Sequence, residues 1–247
     1  MQRTIRGLCL TFVVLGLAAP ASAQVVHSLG LGAGLFVPRG YDTRVDGDVW
    51  VANLTQPDVL PGVSGSLDFD IGKFRSYPIF GEWNVAFGRH LEVSAGLAFS
   101  SKKVSSRYLD LVNGERNNAE IEQDLRLRMI PITGVVRFLP FGDATGVQPY
   151  AGVGIAAVNF RYTETGEFVD PTDFTIFNDR YVATGTAVGP VLLAGLRLPI
   201  GGDVYAFTLE GRYQFVNGDT GGADNGFLGD RLDLSGGMVN FGFLVRF

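Results

Sequence analysis

Large apolar side chains recur at every second position through eight stretches of this chain. The last stretch is the cleanest. Val239, Phe241, Phe243, Val245 and Phe247 share one parity, and Asn240, Gly242, Leu244 and Arg246 share the other. Successive side chains of an extended strand point to opposite faces, so the pattern gives one large apolar face and one small or polar face. The same alternation predicts strands near 26–37, 76–88, 91–101, 124–138, 148–162, 185–198, 204–216 and 237–247. In the third, Leu91, Val93, Ala95, Leu97 and Phe99 oppose Glu92, Ser94, Gly96, Ala98 and Ser100. In the seventh, Tyr205, Phe207, Leu209, Tyr213 and Phe215 oppose Ala206, Thr208, Glu210, Arg212 and Gln214.

The gaps alternate in length. Residues 38–75, 102–123, 163–184 and 217–236 read as long loops. Arg89-His90, Phe141-Gly142-Asp143 and Gly201-Gly202-Asp203 read as tight turns. Eight strands with long connections at one end and short ones at the other predict an all-β fold, an eight-stranded antiparallel up-and-down transmembrane β-barrel. Strands of that length fit a tilted crossing of the hydrocarbon layer. The fourth strand is irregular. Leu125, Leu127 and Met129 share the opposite parity to Ile132, Val136 and Phe138, so a bulge at Pro131 is expected to flip the register, with the large residues outward on both sides of it. Tyr150, Tyr205 and Phe247 at the short-turn end, and Tyr77, Phe99, Tyr162 and Phe215 at the other, are expected to form two interfacial girdles. The second strand is expected to begin above the membrane, near Ser64. A soluble barrel with an apolar pocket is the alternative. The Gly, Ala and Ser content of the opposite face suits a narrow lumen better than a solvated exterior.

The first 23 residues read as an export signal. Arg3 and Arg6 precede the apolar run Leu8–Leu17, and Ala21-Ser22-Ala23 is a small-residue cleavage site. Cleavage near Ala23 removes Cys9, the only cysteine, and with it any disulfide or thiol nucleophile. Lys plus Arg falls from 20 to 18 against 25 Asp plus Glu, a net charge of −7. That acidity excludes nucleic acid as a partner. An exported, apolar chain with no hydrophobic spanning helix leaves the closed barrel as its membrane solution, in the bacterial outer membrane.

Three short pieces resemble the small outer-membrane barrels of the OmpA/OmpW-like superfamily. They are Met129-Ile130-Pro131-Ile132-Thr133-Gly134-Val135-Val136-Arg137-Phe138, Gln148-Pro149-Tyr150-Ala151-Gly152-Val153-Gly154, and the C-terminal aromatic strand. The resemblance implies outer-membrane lipid and lipopolysaccharide as surroundings. It also implies insertion by the barrel-assembly machinery, with Phe241, Phe243, Val245 and Phe247 as the signal. No peptidoglycan-binding domain is expected after Phe247.

Parity assigns Glu82, Asn84, Glu92, Arg197, Thr208, Glu210, Arg212, Gln214, Asn240 and Arg246 to the lumen. Buried charges need partners, so a polar plug is expected. A narrow channel or carrier for small or apolar solutes is the alternative, and Glu210 and Arg212 are central to either. An outer-leaflet enzyme is disfavoured, because His27 and His90 both fall at the short-turn end, and no catalytic residue, metal site or cofactor is assigned. The Asp/Asn/Gly run 218–226 lacks the spacing of a calcium loop and reads as turn-forming. Asp42, Asp46, Asp48, Glu164, Glu167, Asp170 and Asp173 are placed in solvated loops, where divalent ions could bridge them to lipopolysaccharide. Loops 38–75 and 163–184 are the expected contact surfaces.

Overall fold

The computed structural model describes residues 25–142, 146–170, 172–202 and 204–247. The export signal, Cys9 and the Ala23 site lie outside them. Eight antiparallel strands close into a ring. They are β1 (Val25–Pro38), β2 (Ile79–Phe87), β3 (Leu91–Asn113), β4 (Ala119–Phe138), β5 (Gln148–Val169), β6 (Ile176–Ile200), β7 (Tyr205–Gln214) and β8 (Gly236–Arg246). Each pairs with its chain neighbour, and β1 closes on β8 from Ser28 opposite Arg246 to Pro38 opposite Gly236. Closure leaves no unpaired strand edge in the part of the ring where all eight strands run together, which a membrane demands.

The long strands depart from expectation. β6 runs for 25 residues, whereas a tilted crossing needs about 9–11. The stretches 102–123 and 163–184 are therefore mostly strand, the first closed by a tight tip at Gly114–Arg116 and the second drawn together where the Asp170 amide donates to the Thr175 carbonyl. The outward apolar residues stop at Phe99, Ile130, Ala157 and Val188, and Ser101, Arg128, Asn159 and Thr186 follow on the same face. Below that line the barrel is apolar outside and polar inside. Above it the arrangement inverts.

This inversion corrects the reading of β4. Pairing with β3 and β5 runs past Pro131 at constant register, with Pro131 opposite Val158, and there is no bulge. Leu125, Leu127 and Met129 point inward and are buried, while Ile132, Val136 and Phe138 are exposed. The parity of the apolar residues switches because the strand leaves lipid for water. Tyr162 is corrected for the same reason, and Tyr150 because it alternates with the outward Ala151 and Val153. Both are buried inside the barrel, whereas Tyr77, Phe99, Tyr205, Phe215 and Phe247 are exposed.

The upper half holds an apolar core of Val104, Tyr108, Leu125, Leu127, Phe160 and Tyr162, joined by residues of the first loop. That loop folds into the mouth. The short helix α1 (Val49–Leu54) is capped by Asp48, whose carboxylate accepts from the Trp50 and Val51 amides at 3.1 and 3.2 Å. Arg44 donates to the same carboxylate at 2.8 and 2.9 Å and lies 4.3 Å over the Trp50 ring. Trp50 stacks on Phe74 at 3.9 Å and meets Tyr162 edge-on. Much of segment 38–75 is thus core rather than contact surface. The expected early start of β2 reduces to Leu67–Asp68, which pairs with Tyr108 and Arg107 before a turn at Ile71–Phe74.

Candidate functional site

Three carboxylates and three guanidiniums cluster in the membrane-embedded lumen. Arg137 is the hub. Its Nη1 donates to Asn84 Oδ1 at 2.7 Å and lies 2.6 Å from Glu82 Oε1 and 3.3 Å from Glu92 Oε1. Its Nη2 donates to Glu82 Oε2 and Glu210 Oε2, both at 2.8 Å. Arg197 Nη2 forks onto both oxygens of Glu92 at 2.9 and 3.0 Å. Arg212 grips Glu210 Oε1 with Nε and Nη2 at 3.0 and 2.8 Å, and reaches Glu82 at 3.3 Å. The Tyr150 hydroxyl donates to Glu210 at 3.2 Å, and both Arg137 and Arg197 face its ring. Charge-assisted bonds of this kind are the strong ones, and the six charges sum to zero.

Local sequence makes room for the cluster. A Cβ on Gly195 would lie 2.5 Å from the Tyr150 ring, and one on Gly32 would lie 2.6 Å from the Phe80 ring. Only glycine lets those aromatic side chains cross the narrow interior. What remains is two voids of about 20 Å³ each, one beside Arg137 and Tyr150 and one beside Arg212 and Thr133. Each has room for about one water.

Of the residues assigned to the lumen, Glu82, Asn84, Glu92, Arg197, Glu210 and Arg212 meet in this cluster. Thr208 and Asn240 line the void beside Arg137. Gln214 sits above the cluster and donates to the Leu234 carbonyl at 2.8 Å, and Arg246 sits near the turn end, donating to Gln148 at 3.2 Å. Arg137 was missed. Its signal was present, since it alternates with the outward Val136 and Phe138.

A second concavity opens in the upper half. A cavity of about 250 Å³ is bordered by Phe168, Phe177, Tyr181 and Leu228, with Gln123 and Glu164 among its lining. Glu164 is buried, so it cannot bridge surface ions as expected. Its Oε1 accepts from Asn53 at 2.7 Å and Tyr162 at 2.8 Å. Burial lifts its pKa above the ordinary carboxylate range, against the pull of those two hydrogen bonds. The expected ion-bridging role also fails for Asp48, which is buried against Arg44. The Gly218–Gly226 run forms a short ladder with Arg231–Asp233 and a 3₁₀ turn at Gly222–Asn225. No group of three potential metal ligands occurs among the described residues. His27 stacks between Trp83 and Phe247, and the His90 ring nitrogen sits 2.8 Å from the Leu139 carbonyl, both at the short-turn end.

No protein-family model matches the chain, and no curated protein matches it. Solved structures do. The outer membrane protein OprG from Pseudomonas aeruginosa aligns with a TM-score of 0.52 at 12% identity, over 91% of this chain and 97% of that one. Ail, the attachment invasion locus protein of Yersinia pestis, seen in complex with the heparin analogue sucrose octasulfate, gives 0.45 at 11% identity over 91% and 99%. Neisserial surface protein A gives 0.45 at 10% identity over 91% and 99%. The OprG likeness establishes the fold, that of an eight-stranded outer-membrane β-barrel. The two looser matches add nothing to that.

Proposed function

We propose that this protein is a closed, non-catalytic barrel of the bacterial outer membrane that works through its extracellular half. The single observation behind this is the neutral Glu82–Glu92–Glu210–Arg137–Arg197–Arg212 cluster across the lumen. An ion crossing it must break charge-assisted bonds between buried groups, and removing a partner from such a set is costly. The folded first loop adds a second closure above it. In this reading the barrel is a rigid stand, and the rim around Phe168, Phe177, Tyr181 and Leu228 is its contact surface. The two mature histidines lie at the other end, which argues against histidine-based chemistry at that rim. Insertion through the C-terminal strand belongs to the same proposal, since Phe241, Phe243 and Phe247 all face outward.

Single-channel recording of the refolded protein in a planar bilayer tests the reading, after a heat-dependent gel-mobility shift has established folding. A silent bilayer is expected. Discrete openings altered by Arg212→Ala or Glu210→Ala would overturn the closed barrel in favour of a narrow channel.

A further inference from the structure

The outer wall just above the apolar belt carries an unusual cluster. Arg126, Arg128, Arg161 and Arg180, with Ser101 and Thr163, line a surface cleft of about 150 Å³ on β3–β6. Strand register sets Arg128 directly opposite Arg161, and Lys103 opposite Arg126. Like charges directly across a ladder oppose folding, and here two such pairs sit side by side.

The other cations of this wall are treated differently. Lys103 pairs with Asp124 at 2.7 Å, Arg107 with Asp68 at 3.2 Å and with Glu120, and Arg116 with Glu167 at 2.7 Å. Among the described residues, none of the four cleft arginines has a carboxylate within ion-pair distance. The chain has 25 acids to 20 Lys plus Arg, so acids are not scarce. The acid nearest the cleft, Asp124, is taken up by Lys103 and Ser105 instead.

We infer that the cleft binds the phosphate groups of a lipid headgroup in the leaflet on the long-loop side. The guanidinium fork matches phosphate oxygens, and clustered Arg suits a phosphomonoester better than Lys does. Position selects a lipid over a free anion. Arg128 lies two residues beyond the outward Ile130, so it stands about 5–7 Å along the strand from the last apolar contact. Headgroup phosphates occupy that boundary, and basic residues beside it are drawn to an anionic surface. Bound phosphate would offset the Arg128–Arg161 repulsion. The inference rests on the membrane barrel and stands whether or not the lumen conducts.

The test uses refolded full-length protein in neutral detergent and three probes: bisphosphorylated lipid A, the same lipid dephosphorylated, and inorganic phosphate. The expected result is at least tenfold tighter binding of the phosphorylated lipid, weakening with salt. Replacing all four arginines by Gln should abolish that preference while the gel-mobility shift is kept. Arg107→Gln, on the same wall but paired with acids, should leave it unchanged. Equal binding of both lipids, or a preference that survives the fourfold change, would overturn the assignment. Displacement of the lipid by equimolar inorganic phosphate would also overturn it, by showing a site for a free anion.

Discussion

Replacing Arg137 by Met probes the lumen where its bonding is densest. The side chain is 3% exposed and touches Glu82, Glu92 and Glu210. Without it, three carboxylates face two guanidiniums. Glu92 keeps both bonds from Arg197, and Glu210 keeps Arg212. Glu82 keeps only the 3.3 Å contact with Arg212. It becomes the uncompensated charge. Removing one partner from a buried set costs about 3–5 kcal/mol, which is roughly two to four powers of ten in the folding equilibrium. Urea titration in lipid vesicles, followed by the heat-dependent gel shift, measures this. Adding Glu82→Gln restores neutrality and should recover at least half of the loss. The reasoning is refuted if Arg137→Met lies within 1 kcal/mol of the parent, or if the double variant is no more stable than the sum of the two singles.

Three other outcomes follow from particular side chains. The chain has two tryptophans, one buried in the first-loop core and one facing lipid. With Trp83→Phe the remaining Trp50 emission should be blue-shifted and indifferent to brominated lipid; with Trp50→Phe the remaining Trp83 emission should be strongly quenched. Glu164 has a raised pKa in the folded protein, so its contribution to stability is full at low pH and is lost as pH rises through that elevated value. Glu164→Gln should therefore increase protease resistance of the upper half at pH 7 more than at pH 4, and equal effects at both would count against a buried, protonatable acid. Changing the exposed C-terminal Phe247 to Asp should reduce outer-membrane levels and leave periplasmic aggregates, and normal levels would exclude it as an assembly signal.

The strand count, the lipid-facing residues and most of the lumen set were legible in the sequence, because period-2 alternation is a local property. Val239 to Phe247 and Leu91 to Phe99 declare an apolar face with no knowledge of their neighbours. What that face meets is not local. The alternation of β4 continues unbroken past Pro131, yet its apolar side turns from lipid to core, since the medium outside changes from hydrocarbon to water. A pattern read with one medium in mind turned this into a bulge, ended the long strands too early and put Tyr162 in a girdle, whereas Tyr150 was placed there against its own parity, since it alternates with the outward Ala151 and Val153. Parity likewise placed single charges inside the barrel but could not make Arg137 their hub. That required β2, β3, β4 and β7 to bring Glu82, Glu92, Arg137 and Glu210 to one level of a closed ring. The arginine cleft has the same origin. Its members come from β4, β5 and β6, and only the register between strands sets them side by side. Sequence alone determined that this chain forms a barrel with an apolar outside. Tertiary closure decided where that outside ends, what fills the interior and which charges are left unpaired, because those depend on neighbours far apart in the chain.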